Sequence, residues 1–340
     1  MAANIAVNTV VKWCQEHPQT TITDVIFDVF AEGDWELYET KLNDLAVYNP
    51  LVPKEPSSLA LRPYDGQHLA VHKARQWLKE ADTLIISAGA GLSAATGLDY
   101  ASSSLFERHF PAFVPLGLNH LYDVFEFDGW ESQAQKWGYF INHLTMVQSW
   151  PRSPLYATLQ EFTGRFGPRY FIRTSNADGF FEANGFDAER VSTPQGQYKY
   201  LQCPAKCRRD AVFPLQPFLT AALPCVDPET QCLTDESMVP ICDYCGSELT
   251  LCARGGSYFN PSPFWDQEKK YEAFLEGATK SSNTVILELG VGMNTPGVLR
   301  WHNDDIVDQS KGKARLIRAG IGAAGCVPWK MEEKKYGCLD

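Results

Sequence analysis

An apolar run over residues 83–87 leads straight into Ala88, Gly89, Ala90 and Gly91, and this junction constrains the fold more than any other stretch. Leu84, Ile85 and Ile86 in succession suit a buried strand. Just before it, Leu69, Ala70, Ala74, Trp77, Leu78 and Ala81 recur at helical spacing, which predicts an amphipathic helix over 67–81. Further β-like runs at 170–174, 284–289 and 314–317 alternate with helix-spaced segments at 134–149, 156–166 and 267–278. Strands alternating with helices predict an α/β chain with a doubly wound parallel sheet.

The chain has 340 residues, which at about 150 residues per domain predicts two domains, or one large domain carrying an insertion. Residues 1–60 hold helix-like pieces at 6–15 and 22–30, close on Pro50, Pro53 and Pro56, and read as an N-terminal extension to a domain over 61–340. Between about 200 and 260 the strand and helix rhythm stops. Cysteines, prolines and polar turns take over, as in a small inserted module. Forty-one acidic residues against thirty basic ones leave a net charge of −11, so no broad basic footprint exists for nucleic acid or anionic lipid. No apolar run approaches the roughly 18 uncharged residues of a membrane span. Neither a nucleic acid nor a membrane is expected as a partner. Ten cysteines, mostly paired up after residue 200, are too sparse for a disulfide scaffold and suggest thiolates kept for a metal in a reducing compartment, with the cytoplasm expected.

The glycine junction fits the G-x-G-x-x-A form of a dinucleotide turn, with Ser93 and Ala94 completing it. Without side chains at Gly89 and Gly91 a pyrophosphate can approach the backbone closely, and N–H groups at the following helix start favour an anion. A tight turn alone also calls for glycine, so the pattern is weak in isolation. Cys203 with Cys207, and Cys242 with Cys245, form two close pairs, each able to seat one edge of a Zn²⁺ tetrahedron. Cys225, Cys232 and Cys252 are competing donors that spacing does not exclude. A closed four-thiolate site leaves no position for substrate, so a structural zinc is expected.

Gly89 to Ser93, then Gly97-Leu98-Asp99-Tyr100, then Thr174-Ser175-Asn176-Ala177-Asp178, the two cysteine pairs, and Gly290-Val291-Gly292 ahead of Pro296 resemble the sirtuin family in content and order. The match runs over roughly residues 67–320. It looks closest to the class M branch, the sirtuins encoded beside macrodomain proteins and known as protein ADP-ribosyltransferases. The resemblance implies an inverted-Rossmann-like NAD domain with a small inserted zinc domain. It implies cofactor contacts from Gly89, Ala90, Gly91, Ser93, Ala94, Asp99 and Tyr100. Asn176, Asp178 and Gln195 would face the nicotinamide ribose, and Gly290, Val291, Gly292, Asn294 and Thr295 the adenosine half. Arg318 stands where an asparagine often holds the adenine ribose. Read without the resemblance, Asn176 and Asp178 would be an Asx turn after a strand.

Gln195 stands where deacylating sirtuins carry a histidine, which serves as a base because its pKa lies near neutrality. A glutamine cannot take up a proton near pH 7, although it can orient a hydroxyl or an acceptor. An already ionised carboxylate or thiolate needs no base. The expected activity is therefore NAD-dependent mono-ADP-ribosylation of a protein, catalysed through Asn176, Asp178 and Gln195. The class M resemblance implies a lipoyl-carrier acceptor related to the glycine cleavage H protein, and a macrodomain hydrolase that reverses the mark. Rival readings are a NAD glycohydrolase, a deacylase and a NAD-binding sensor without turnover. The seven histidines show no metal spacing and are expected on the surface or in the core.

Overall fold

A computed structural model describes residues 2–17, 66–281, 283–325 and 336–339. The expected helix over 22–30 lies outside these residues, and the one over 6–15 falls within α1 (Ala2–Glu16). The chain divides into two units, Met1–Leu69 and Ala70–Asp340, and the features below belong to the second. Among the described residues no helix is long and apolar enough to cross a membrane.

The strands, in chain order, are β1 (Thr83–Ala88), β2 (Tyr170–Thr174), β3 (Val191–Ser192), β4 (Gly196–Gln202), β5 (Val212–Pro214), β6 (Thr250–Ala253), β7 (Thr284–Leu289), β8 (Ala314–Ala319) and β9 (Tyr336–Leu339). Six of them form a parallel sheet in the order β3-β2-β1-β7-β8-β9, and the other three an antiparallel sheet in the order β5-β4-β6. The parallel sheet is the expected doubly wound one, and its strand order reverses between β1 and β7. Ligands of such sheets gather past the carboxyl ends of the strands at this switch point. The antiparallel sheet and its loops occupy the stretch where the sequence rhythm breaks.

The remaining α-helices among the described residues are α2 (Gly66–Glu80), α3 (Ala90–Ala94), α4 (Ser103–His109), α5 (Gln133–Gln148), α6 (Pro154–Gly164), α7 (Phe180–Ala183), α8 (Leu215–Ala222), α9 (Trp265–Ala278) and α10 (Arg300–Gln309). Leu84 and Ile86 point into one core with Ile172, Val285, Leu287 and Ile317, while Ile85 points into a second core with Phe171, Ile286 and Leu316. Apolar side chains on both faces are what a helix-covered parallel sheet needs. Helix α6 starts two residues earlier than its apolar spacing predicts. Ser153 caps it by accepting the Leu155 N–H, and Pro154 sits in the first turn, where no donor is missed.

Near the carboxyl ends of the strands a buried polar row crosses the sheet in register: Arg173, Ser87, Glu288 and Arg318. Arg318 donates to Glu288 at 2.6 and 3.1 Å and to Asp304 of α10 at 2.8 Å. Asn303 links the row to Ser87 and Glu288. Arg318 is fully buried in this ion cluster and is not among the residues that line the cleft described below. Replacing it by methionine strips buried carboxylates of their main cation. With Arg300 still 3.7 Å from Glu288, the loss should lie near the low end of buried-pair disruptions, about 3 kcal/mol in urea unfolding. A loss below about 1 kcal/mol, the range of exposed pairs, would contradict the assignment.

Candidate active site

The two glycine turns meet at the switch point. Gly89 N–H donates to the Leu289 carbonyl at 3.0 Å, and Gly91 N–H to the Gly290 carbonyl at 2.9 Å. A Cβ on Gly89 would stand 2.6 Å from the Gly290 oxygen, and one on Gly290, whose φ is +59°, would stand 2.4 Å from the Leu92 nitrogen. Backbone packs directly on backbone here, and only glycine permits it. The N–H groups of Gly89 and Gly91 are therefore used inside the protein. Ala90, Val291 and Gly292 line the cleft instead.

A polar chain runs from the first turn to the end of β2. Thr174 Oγ1 donates to the Ala88 carbonyl and accepts the Asn176 N–H. Asn176 Nδ2 donates to the Gly89 carbonyl at 3.0 Å and to Ser93 Oγ at 3.1 Å, and Ser93 Oγ donates to Asp178 Oδ2 at 2.6 Å. The Phe180 N–H completes the carboxylate's shell at 2.9 Å. That last bond alone is the Asx turn of the bland reading; the bonds to Ser93 and Gly89 reach more than eighty residues along the chain. Burial raises the Asp178 carboxyl above its ordinary value, and the Ser93 hydroxyl and Phe180 N–H oppose that rise. Ser93→Ala removes a stabilising donor, so the acid limb of the pH–rate profile should move to higher pH. An unmoved limb would take Asp178 out of the rate-determining ionisation.

These residues open into a cleft of about 750 Å³, within the usual size of a small-molecule site. Of the sequence-named residues, Ala90, Ser93, Tyr100, Asn176, Asp178, Gln195, Val291, Gly292, Asn294 and Thr295 line it. Ala94 and Asp99 do not, and Asp99 instead accepts the Ala101 N–H. Gln195 Oε1 is buried without a hydrogen-bond partner among the described residues, an acceptor that fits the ribose hydroxyls of NAD. The opposite wall comes from the antiparallel module, through Leu249, Leu251 and Arg254. The Arg254 N–H donates to the Gln195 carbonyl at 2.8 Å. Its guanidinium stacks on Phe259 and reaches the Pro194 carbonyl, with no carboxylate paired to it among the described residues. Sequence reasoning missed Arg254 and the aromatic wall of Tyr122, Phe125, Phe127 and Trp130, because no local motif marks them.

At the outer end of the module the sulfurs of Cys203, Cys207, Cys242 and Cys245 all lie within 4.8 Å of one another, with Cys203–Cys245 and Cys207–Cys242 each at 3.6 Å. A tetrahedron with Zn–S of about 2.3 Å has edges of about 3.8 Å, so the four thiolates fit zinc. The competing cysteines are accounted for: Cys252 points to Gln202 and Asn260, and Cys225 and Cys232 lie outside the cluster. Zinc there would be structural, tying the β4–β5 loop to the segment before β6.

No family model matches the chain. Among solved structures, one on sirtuin substrate affinity aligns with 72% of this chain and 86% of its own at 16% identity and a TM-score of 0.47. A Sir2 bound to acetylated peptide aligns with 73% and 85% at 16% identity and 0.45. By sequence the chain is 48% identical, over 334 residues and 98% of its length, to a probable bifunctional ADP-ribose hydrolase/ADP-ribosyltransferase of Fusarium oxysporum f. sp. cubense. It is 27% identical over 232 residues to a protein ADP-ribosyltransferase of Staphylococcus aureus, covering 65% of this chain and 69% of that protein. By sequence, the chain is thus similar to proteins named ADP-ribosyltransferases. It spans about half the Fusarium protein, 54% of its length. In this cleft, Gln195 immediately precedes β4 of the module.

Proposed function

We propose that this chain catalyses NAD-dependent mono-ADP-ribosylation of a protein. The single observation that carries the reading is a cleft lined by Asn176, Asp178 and Gln195, whose Oε1 has no partner among the described residues; by the sirtuin resemblance, this glutamine stands where a deacylase needs its base. The bond from the ribose carbon to the nicotinamide nitrogen breaks, and its electron pair leaves with nicotinamide. A carboxylate on the acceptor supplies the new pair and forms an ester, so no proton has to be removed. Arg254, which lines the cleft with no carboxylate paired to it among the described residues, suits such an anion. A lipoylated carrier protein remains our proposed acceptor, from the class M resemblance. A macrodomain ADP-ribose hydrolase as counterpart is supported by the two activities in the Fusarium relative's name. The free described cysteines favour a reducing compartment such as the cytoplasm.

The test is incubation of purified protein with NAD labelled in its ADP-ribose half, alone and with cell lysate, followed by mass spectrometry. The expected result is a labelled protein whose adduct hydroxylamine removes, as it does an ester. Abundant free ADP-ribose and no labelled protein would favour the glycohydrolase. No nicotinamide release under any condition would leave only NAD binding.

A further inference from the structure

At the inner end of the cleft the Tyr100 hydroxyl lies 3.0 Å from His143 Nε2. Tyr100 belongs to the loop over residues 95–102, between α3 and α4, and lines the cleft with Ser93, Asn176 and Asp178. His143 sits within α5, with no exposed surface. Five rings, those of Tyr100, Phe110, Phe125, Tyr139 and Tyr198, surround its imidazole at centroid distances of 5.5 to 6.3 Å. Its Nδ1 has no partner among the described residues. Burial pushes the imidazole down to about 3, so it stays neutral and is no substitute for a catalytic base. A buried ring nitrogen without a partner destabilises the fold, a penalty that phenylalanine would avoid at this position. What the imidazole supplies is an anchor for one phenol on a loop.

We propose that His143 is a positioning residue which, through Tyr100, clamps an aromatic ring beside the reacting ribose and keeps water from it. The inference rests on the reading of this cleft as one that splits NAD. Tyr122 packs on Tyr100 at 5.4 Å, and its N–H donates to the Tyr100 carbonyl, while Phe125 lies nearly parallel at 6.4 Å. These contacts steady the ring from one side, and the bond to His143 anchors its hydroxyl end. An aromatic face stabilises nearby positive charge, which here develops on the ribose carbon as nicotinamide leaves with the bonding pair. Without an acceptor that carbon has two fates. Nicotinamide nitrogen can return its pair and re-form NAD, or water can add, giving ADP-ribose and releasing a proton to solvent. A clamped ring favours return, whereas a loosened ring admits water.

The experiment is incubation with NAD and isotopically labelled nicotinamide, reading label exchanged into NAD against free ADP-ribose formed. Both products come from the same folded molecules, so their ratio does not respond to a loss of stability alone. Tyr100→Phe keeps the ring and loses the bond, His143→Phe removes the anchor, and His143→Gln retains an acceptor. Tyr100→Phe and His143→Phe should each lower the exchange-to-hydrolysis ratio by about fivefold or more, with no further fall in the double variant. His143→Gln should recover part of it. A wild-type ratio in Tyr100→Phe overturns the proposal, and that variant decides alone if His143→Phe does not fold. If the wild-type protein releases no nicotinamide, it is the reading of the cleft itself that fails.

Discussion

Stripping the metal from the four-cysteine site is expected to unfold the β4–β5–β6 module. A structural zinc in small domains contributes on the order of 10–16 kcal/mol of binding free energy, which becomes folding free energy where the apo site is not held together otherwise. The module meets that condition. Its antiparallel sheet has three strands, and two of the sulfurs, Cys203 and Cys242, are buried while Cys207 and Cys245 are exposed. Without a metal, four thiols at mutual distances down to 3.6 Å have little to hold them. The damage should extend to the active site, because Leu249, Leu251 and Arg254 form one cleft wall and the Arg254 N–H holds the Gln195 carbonyl. Chelation, or Cys203→Ser, should therefore abolish turnover and expose the module to protease. Cys252→Ser, which alters a buried cysteine outside the cluster, should leave metal content unchanged. A chelated protein with unaltered melting and protease resistance would dismiss a structural metal.

Asp178→Asn should reduce nicotinamide release by about 10²- to 10³-fold, the usual effect of removing one preorganised electrostatic group from a transition state. The substitution is nearly isosteric. The Phe180 N–H can still donate to the amide oxygen, and the amide nitrogen that replaces Oδ2 can donate to Ser93 Oγ once that hydroxyl turns its proton away, so the polar chain stays largely connected. What disappears is the negative charge beside a ribose carbon that becomes positive as its bond breaks. Stability should move the other way. Burial raises the carboxyl in the folded protein, so holding it ionised opposes folding. That penalty is absent below the unfolded-state pKa of about 3.9, grows as pH rises through the raised folded value and is constant above it. The neutral amide escapes it, and thermal unfolding at pH 7 should show a variant at least as stable as the parent. Equal loss of stability and activity would mean that Asp178 is mainly a structural turn residue.

How far a residue could be read in advance depended on the range of the interaction that defines its role. Strands β2 and β7 match their apolar runs end to end, because consecutive buried positions need no information from elsewhere in the chain. The cysteine pairs were legible for a similar reason, since each pair forms within one turn, and the fold had only to bring two turns together. Gly89, Gly91 and Gly290 were legible as glycines but not in their use. Sequence suggested room for a ligand, whereas a large part of the requirement is the contact of one turn with the other. The ion partners of Arg318 were not legible because its neighbours in the chain say nothing of Glu288 and Asp304, which reach it from the adjacent strand and from α10.

The sequence by itself determined the periodicities, the turn chemistry and the thiolate pairs. All of these follow from residues a few positions apart, where chain connectivity already limits the geometry. Tertiary structure decided which side chains share the cleft. Arg254, Tyr122, Phe125 and the His143–Tyr100 pair meet the Asn176–Asp178 turn only because a parallel sheet, α5 and the module converge past the ends of β1 and β7. Contacts between segments that distant are set by how apolar faces pack, and packing is a property of the whole core rather than of any one motif.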